Sequence, residues 1–233
     1  MISIIIPIYN QAKLITKTLA SLEQQTYQDF EVIIVNDGSR DNLDMVLEKY
    51  LANSQATQRF FVIHQKNLGA PAARNRGYKE ARGEYLLFCD ADAILIPSAL
   101  ELMLQALTQN PTAAYVYSSF RWGRKLFKLW PFDATRLRQM PYIHTMSLIR
   151  REAFPPQGWD ESIKKLQDWD LWLTLLERGQ VGYFINQVLF NVKPGGQISA
   201  WLPKFAYRLL PFISAARKYQ AAVKIIKQKH NLL

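Results

Sequence analysis

The sequence predicts an α/β protein with a mostly parallel central sheet that is flanked by helices. In the first half of the chain, apolar runs of strand length alternate with segments of helical periodicity. The apolar runs are continuous, as expected for strands that are covered on both faces of a sheet. The chain has 233 residues, of which 49% are hydrophobic, so it can bury a core of this kind.

The predicted strands are the apolar runs that end in turn residues. All but one of them precede the basic segment that begins at Arg121. They are Ser3–Pro7, Glu31–Asn36, Phe60–His64, Tyr85–Cys89, Ala113–Phe120 and Met146–Arg150.

The predicted helices follow the strands and carry local helix signals. Leu14, Leu19 and Leu22 form an apolar stripe, Pro71 lies near a first turn, and Ser98 is placed to cap a helix. Asp168 is a candidate N-cap, and it could also face a ligand crevice as a general base. The helices are Ala12–Gln25, Asp41–Tyr50, Pro71–Ala81, Ser98–Gln109 and a helix that begins near Gln167.

Residues 200–233 are predicted to be a basic amphipathic helical tail, distinct from a domain of residues 1–199. Pro211 divides the tail into two helices or kinks one helix. The tail could be an interfacial membrane anchor or a helix that packs on the domain. Its apolar face carries Phe212, Ala216, Tyr219, Val223 and Ile226, and its basic residues are Arg217, Lys218, Lys224 and Lys227, after the aromatic and basic stretch Trp201, Lys204, Phe205, Tyr207 and Arg208.

The net charge of +10 predicts attraction to an anionic partner. Basic and aromatic residues alternate from Arg121 to Pro141, which favours either a solvated loop or a surface for an anionic acceptor or membrane, and nucleic acid is not favoured. A single cysteine, Cys89, excludes a disulfide framework and suits a reducing compartment. With no signal peptide visible, we expect a cytoplasmic protein, peripheral at most to the inner face of the cell membrane.

Asp90 and Asp92 follow the buried run Tyr85–Cys89 directly. Carboxylates at the end of a buried strand are tolerated when they are paired or bound to a cation. Mg²⁺ and Mn²⁺ are often held by one or two carboxylates together with substrate phosphates. The Asp-Ala-Asp turn therefore predicts a metal that holds a diphosphate, and its alternative is a solvated turn.

Ligands of open parallel sheets bind beyond the carboxyl ends of the strands. The loops Ile8–Asn10, Asp37–Ser39, Gln65–Gly69 and Asp90–Asp92 are predicted to face one crevice there. Neither a Gly-x-Gly-x-x-Gly after the first strand nor a Gly-Lys-Ser/Thr phosphate loop occurs, which sets aside hydride transfer and P-loop chemistry.

Six stretches, in this order and spacing, resemble the family 2 inverting glycosyltransferases, which have the GT-A fold. The resemblance extends from about Ile2 to Ser199. The stretches are Ser3–Asn10, Ser21–Leu22 with Gln25–Tyr27, Phe30–Ser39, Asn67–Gly69 with Ala73–Asn75 and Gly77, Asp90–Asp92, and Gln167–Leu173.

The resemblance implies roles for matching positions, as a nucleotide-binding half at residues 1–120 and an acceptor and catalytic-base half at residues 121–199. Asp168 matches the catalytic base. Asp92 matches a direct ligand of Mn²⁺ or Mg²⁺, and Asp90 a ligand or a contact to the ribose. The positions that match nucleotide contacts are Pro7, Tyr9, Asp37 and Arg74, for which the alternatives are a strand-ending turn, a glycine turn and a helix surface charge.

By this resemblance, the donor is a nucleotide-diphosphate sugar of the UDP, dTDP or GDP type. The acceptor is a hydroxyl of a polysaccharide or lipid-linked glycan precursor, and transfer is a single metal-assisted displacement. The alternatives are a non-catalytic nucleotide-sugar-binding or scaffold protein that retains the fold, and a nucleotidyltransferase, for which a basic, glycine-rich loop after the first strand is lacking.

Two positions depart from the family pattern. Gln167 stands where a Glu often precedes the catalytic Asp, which would tend to lower the pKa of Asp168 by removing a like charge. Lys193 stands where a metal-binding His is often found; protonated, it cannot ligate a cation but could contact the diphosphate. His144 precedes a predicted strand, and we expect it to be structural rather than a substitute ligand.

Overall fold

The computed structural model describes residues 1–193 and 214–233. The predicted α/β fold is confirmed. The strands are β1 (Ile2–Ile8), β2 (Phe30–Asp37), β3 (Phe60–Gln65), β4 (Tyr85–Phe88), β5 (Ala93–Leu95), β6 (Ala113–Trp122), β7 (Lys125–Phe127), β8 (Leu148–Arg150) and β9 (Val181–Val192). The α-helices are α1 (Ala12–Glu23), α2 (Leu43–Ala52), α3 (Ala70–Glu80), α4 (Ala99–Gln109), α5 (Ala134–Gln139), α6 (Gln167–Glu177) and α7 (Ser214–Lys229).

Over the described residues, the strands form one mixed sheet in the order β3-β2-β1-β4-β8-β6-β9-β5, with β7 paired to β6. The strands β1 to β4 pair in parallel, as predicted. The second half of the chain adds the antiparallel strand β8, which pairs with both β4 and β6. It also adds β9, which is parallel to β6 and antiparallel to β5.

Apolar side chains cover the sheet on both faces, as expected for continuous apolar strands. One cluster joins one face of β1 and β2 to helices α1, α2 and α4, with Ile15, Leu19 and Met103 fully buried. The other joins Ile5, Ile33 and Phe88 to helices α3 and α6. Gly77 of α3 lies so close to the sheet that a Cβ there would be 2.4 Å from Cγ2 of Ile5.

The helix starts differ in part from prediction. Ser98 is the N-cap of α4, but its side chain makes no cap hydrogen bond among the described groups. The prediction that Asp168 caps α6 is wrong: the N-cap is Leu166, at φ 59°, and Asp168 lies inside the first turn. The cause is one extra helical residue, Gln167, which places Asp168 at the second helical position. The basic segment after β6 forms β7 and then α5, which Asp133 caps by accepting a 2.9 Å hydrogen bond from the backbone N–H of Arg136.

Helix α7 packs on the domain through the apolar face that the sequence predicts. Ala216 and Ile226 are fully buried, and Val223 contacts the core. Arg217, Lys218 and Lys224 are exposed. In the two described ranges, no helix combines the length and the hydropathy that crossing a membrane requires. Several residues of the predicted tail lie outside the described residues: Trp201, Lys204, Phe205, Tyr207, Arg208, Pro211 and Phe212.

Candidate functional site

Asp37, at the end of β2, holds the loop that follows β3. Its Oδ1 accepts hydrogen bonds from Nε2 of Gln65 at 2.7 Å and from the backbone N–H of Leu68 at 2.9 Å. Its Oδ2 accepts from the backbone N–H of Gly69 at 2.9 Å. A carboxylate offers about four acceptor positions, so room for one further donor, such as a base N–H, remains.

The glycine turn after Asp37 has the conformation that the sequence predicts. Gly38 has φ +70°, and a Cβ there would lie 2.8 Å from the backbone N of Asn67. The turn therefore allows the loops after β2 and β3 to touch, which a residue with a side chain would prevent.

The loop after β1 is bonded to the same turn. Asn10 has φ 52°; its backbone N–H donates to Oγ of Ser39 at 3.0 Å, and its Oδ1 accepts from the backbone N–H of Arg40 at 2.7 Å. Pro7 and Tyr9 lie at the end of β1 and just after it, and both are half-buried. The predicted nucleotide residues Pro7, Tyr9 and Asp37 are therefore on neighbouring loops at one edge of the sheet.

Asp90 and Asp92 are both nearly buried, at 6% and 5% exposed. The backbone of their turn is bonded on every side: the N–H of Asp90 donates to Sδ of Met146, Oγ1 of Thr18 donates to the carbonyl of Ala91, and the N–H of Lys193 donates to the carbonyl of Asp92. Burial, and then the charge of Asp90, raise the pKa of Asp92 to about 7. Two buried carboxylates this close together are a place where a cation would be stabilised.

Arg74 is 3% exposed, so the alternative that it is a helix surface charge is wrong. Its guanidinium donates to Oε1 of Gln167 at 2.9 Å and lies 3.4 Å from Oδ1 of Asp90. It also lies over the ring of Trp159, 4.7 Å from the centroid. Burial lowers the pKa of Arg74, against the effect of Asp90 and Asp168, and no described atom accepts a hydrogen bond from its Nε.

Asp168 lies within the electrostatic reach of this cluster. Burial raises its pKa, while His144, the backbone N–H of Trp169 and Arg74 act in the opposite direction. Gln167 in place of Glu was expected to lower the pKa of Asp168. The pKa is raised instead, because burial has the largest effect, and the amide oxygen of Gln167 accepts a hydrogen bond from Arg74. A raised pKa makes a carboxylate a better proton acceptor near neutral pH.

His144, which the sequence reasoning set aside, lies at the site. Its Nε2 is 3.8 Å from Oδ2 of Asp90, and its Nδ1 accepts from the backbone N–H of Met146 at 3.1 Å. With Nδ1 as the acceptor, the proton of a neutral ring would lie on Nε2, which faces Asp90. The ring contacts Phe120 and Phe190, with centroids at 4.7 and 5.3 Å. No pattern in the sequence marks His144, because it reaches the site only through the order of the sheet.

Lys193 immediately follows β9, next to Asp92. The pairing of Ala93 with Val192, together with the hydrogen bond of the Lys193 N–H, fixes this position. Its side chain lies within hydrogen-bonding reach of Lys17 on α1, and this contact lowers the pKa of Lys193. Two neighbouring ammonium groups would be relieved by an anion. Lys17 was missed from the sequence, since nothing in its helix distinguishes it from Lys13.

The donor set at Asp90 and Asp92 fits a hard cation only if the ligand supplies further oxygens. Across residues 1–193 and 214–233, no group of three or more His, Cys, Asp or Glu side chains is arranged to hold a metal. Two carboxylates with a diphosphate are a common set for Mg²⁺ or Mn²⁺. The residues present therefore fit a metal that arrives with its nucleotide.

Known proteins are similar to this chain in sequence. The family described as Glycosyl transferase family 2 matches residues 3–157. Chondroitin synthase of Escherichia coli is 32% identical over 199 residues, which cover 82% of this chain and 28% of that protein. Hyaluronan synthase of Pasteurella multocida is 32% identical over the same share of this chain and 20% of its own length. The chain thus spans about a quarter of the length of these relatives.

Solved structures share the fold. TarS of S. aureus in complex with UDP-GlcNAc has a TM-score of 0.72 at 19% identity, covering 98% of this chain and 71% of that one. The mannosyltransferase PcManGT from Pyrobaculum calidifontis, in complex with GDP-Man and Mn²⁺, has a TM-score of 0.69 at 18% identity, covering 99% and 69%. These likenesses confirm the GT-A architecture expected from the sequence.

Proposed function

Because the chain belongs to glycosyl transferase family 2, we propose that it is an inverting glycosyltransferase that moves a sugar from a nucleotide diphosphate to an acceptor hydroxyl. The observation that supports the proposal is that Arg74 joins Asp90, which also lies near His144, to Gln167, the residue before Asp168. The proposed base and the proposed metal motif, which are far apart in sequence, are linked in this way.

Asp168 is proposed as the general base. Its raised pKa suits removal of the acceptor hydroxyl proton as that oxygen attacks the anomeric carbon. The bond to the diphosphate breaks as the new glycosidic bond forms on the opposite face, so the anomeric configuration inverts. No second carboxylate nucleophile is needed for a single displacement.

Asp92 and Asp90 are the proposed metal ligands. When bound, a divalent cation would neutralise charge on the diphosphate leaving group. Asp90 is also within reach of Arg74 and His144, so its oxygens are shared between those groups and the cation or the ribose. Lys193, with Lys17 beside it, is proposed to contact the diphosphate as a point charge.

The nucleotide is proposed to lie against Pro7, Tyr9 and the loop held by Asp37. Arg74 is buried, and it is proposed to act on the nucleotide site through its contact with Asp90. The donor classes are UDP, dTDP or GDP sugars, in line with the UDP-GlcNAc and GDP-Man complexes named above. The proposed acceptor is a polysaccharide or lipid-linked glycan precursor, as the names of the synthase relatives suggest.

A peripheral site at the inner face of the cell membrane is part of this proposal. The exposed cations Arg217, Lys218 and Lys224 on α7 would act by charge alone, because Ala216 and Ile226 are buried against the domain. We likewise propose that residues 1–120 form a nucleotide-binding half and that residues 121–199 form an acceptor half. The basic tail at residues 200–233 follows them.

Calorimetry with UDP, dTDP, GDP and CMP, with and without Mn²⁺, tests the proposal. Two results would support it. One nucleotide should bind, and Mn²⁺ should strengthen that binding. The protein should also release that nucleotide from its sugar derivative, and this release should require Asp168. Metal-dependent binding with no turnover of any donor would favour the non-catalytic nucleotide-sugar-binding alternative.

A further inference from the structure

Two adjacent basic residues, Lys229 at the end of α7 and His230 just after it, contact the helix that carries Asp168. Both reach Asp170 in the first turn of α6, which is 4% exposed. His230 and Asp170 are 60 positions apart in the chain. No sequence motif links the two segments.

His230 is buried between two carboxylates. Its Nε2 is 2.9 Å from Oδ1 of Asp170, and its Nδ1 is 2.8 Å from Oε1 of Glu177. An ionised carboxylate only accepts, so both ring nitrogens donate and the ring is an imidazolium. Burial lowers the pKa of His230, but the hydrogen bonds to Asp170 and Glu177 outweigh it and leave the pKa raised.

Lys229 joins α6 to the preceding loop. Its Nζ lies 2.8 Å from Asp170 and 2.6 Å from Oδ2 of Asp160. The loop is itself fixed to α3, because Nδ2 of Asn75 donates to the carbonyl of Trp159 at 2.9 Å. The same Trp159 ring packs under Arg74. The two basic residues therefore hold a loop and a helix that both border the site.

The first turn of α6 depends on contacts of this kind. Its N-cap, Leu166, has a left-handed backbone and offers no capping side chain, although Oδ1 of Asp168 accepts a 2.9 Å hydrogen bond from the backbone N–H of Trp169. Helix starts without a cap leave N–H groups unsatisfied and fray easily. The turn is instead fixed by Nε1 of Trp169, which donates to the carbonyl of Leu137 at 2.6 Å, and by the cations on Asp170.

We propose that His230 and Lys229 are positioning residues for Asp168: by neutralising and holding Asp170, they fix the turn that presents the base. The inference rests on the proposed function, because it takes Asp168 as the base. Loss of the His230 proton would set a bare ring nitrogen against a carboxylate, which repels it, and would loosen the turn. Catalysis should therefore fall on the alkaline side while donor binding persists.

The charged groups that face His230 are Asp170 and Glu177 from α6, and Lys229 from its own segment shares Asp170 with it. Glu177 is 54% exposed and lies at the other end of α6 from Asp168. Replacing Glu177 by Gln removes one of the two anions and lowers the pKa of His230, while Asp170 stays in place. This variant separates a protonation effect from a packing effect.

The test compares wild type, His230→Gln, Glu177→Gln and the control Lys79→Ala, which removes an exposed cation from α3. NMR follows the His230 ring over pH, and hydrogen exchange follows the peptide around residues 165–172. Turnover of UDP-GlcNAc and GDP-mannose is measured over the same pH range. Calorimetry with UDP and GDP plus Mn²⁺ reports the donor site separately.

We expect His230→Gln to raise exchange in the peptide containing Asp168 by about tenfold, with nucleotide affinity unchanged. In wild type the exchange rise and the alkaline fall in turnover should follow the NMR titration of His230, and both should move to lower pH in Glu177→Gln. Lys79→Ala should change none of them.

The positioning role would be overturned if His230→Gln left hydrogen exchange in residues 165–172 unchanged. It would also be overturned if that exchange did not follow the titration of His230. If His230→Gln does not fold, Glu177→Gln decides the question alone. Failure of every nucleotide to bind would overturn the proposed function instead, and the exchange and NMR results would still show whether His230 holds the turn.

Discussion

The guanidinium of Arg74 donates a 2.9 Å hydrogen bond to Oε1 of Gln167, the residue immediately before Asp168. The same guanidinium lies 3.4 Å from Asp90 of the Asp-Ala-Asp turn. One buried side chain thus spans the proposed metal motif and the proposed base, which are separated by more than seventy residues. Arg74 therefore couples the position of the Asp-Ala-Asp turn to the position of Asp168.

Arg74→Lys should weaken this link. A lysine has no planar fork and cannot reach both partners in the same way. We expect a loss of about 1.5–3 kcal/mol in the free energy of unfolding, the range for hydrogen bonds to charged groups, and a fall in turnover of at least about tenfold. Urea denaturation and donor turnover measure the two effects. Arg76→Lys is the control, because Arg76 is exposed on the same helix and pairs with Glu80 one turn away; equal effects of the two changes would contradict the role of Arg74.

Gln167→Glu should move the acidic limb of the turnover profile to higher pH. The added negative charge lies next to Asp168, whose pKa burial already raises, and a like charge raises it further. Because the base must be deprotonated, activity then appears at higher pH. Steady-state rates between pH 5 and 9 test this, against Gln105→Glu on the exposed face of α4. A shift to lower pH would show that the new charge is absorbed by Arg74.

Asp92→Asn should remove the strengthening of nucleotide binding by Mn²⁺. The amide keeps the shape of the side chain but lacks the charge that a hard cation requires. Affinity with Mn²⁺ should fall by about tenfold or more, or about 1.4 kcal/mol, and affinity without metal should change little. Calorimetry with and without Mn²⁺ measures both. The control is Glu48→Gln, which removes an exposed charge on α2; retained metal enhancement in Asp92→Asn would exclude Asp92 as a ligand.

His230→Gln should destabilise the fold more at low pH than at high pH. The pKa of His230 is raised above its ordinary value of 6.5, so its contribution is complete below that value and is lost as pH rises through the folded-state pKa. We expect a deficit of about 1–3 kcal/mol at pH 6 that narrows towards pH 9. Urea midpoints at both values check the sign, and a deficit that grows with pH would mean that the ring is neutral in the folded protein.

Gly77→Ala should destabilise the protein by overpacking the contact between α3 and the sheet. The new Cβ would meet Cγ2 of Ile5 at 2.4 Å and Cγ2 of Val35 at 3.2 Å, which forces α3 away from the sheet. Overpacking of this kind costs about 1–3 kcal/mol. Thermal unfolding measures it, with Lys79→Ala on the exposed side of α3 as the control. An unchanged melting temperature would mean that α3 shifts freely.

The alternating pattern of the first half was enough to predict β1 to β4 and their parallel pairing. The conformation of the turn at Gly38 was also predictable. The apolar runs that form β6 and β8 were predicted as strands too, but β5, β7 and β9 were not. The burial of β9 is irregular, and several of its residues are exposed, such as Val181 and Tyr183.

Within the site, the carboxylates were named from the sequence, but their partners were not. His144 was expected to be structural because it precedes a predicted strand, and its 3.8 Å approach to Asp90 depends on the pairing of β8 with β4, which was not predicted. His230 and Lys229 gave no signal, since their partners belong to another helix. The roles of Asp168, Asp92 and the nucleotide residues remain predictions that the experiments above address.

The Asp-Ala-Asp turn is held by hydrogen bonds from β9, α1 and Met146 before any ligand arrives. A turn that is already in one conformation loses little conformational entropy when it is occupied. Burial and the charge of Asp90 raise the pKa of Asp92 in this turn, and the proposed cation would bind there without rearrangement of the main chain. The proposed cation would thus complete the charge of the turn and leave its backbone conformation unchanged.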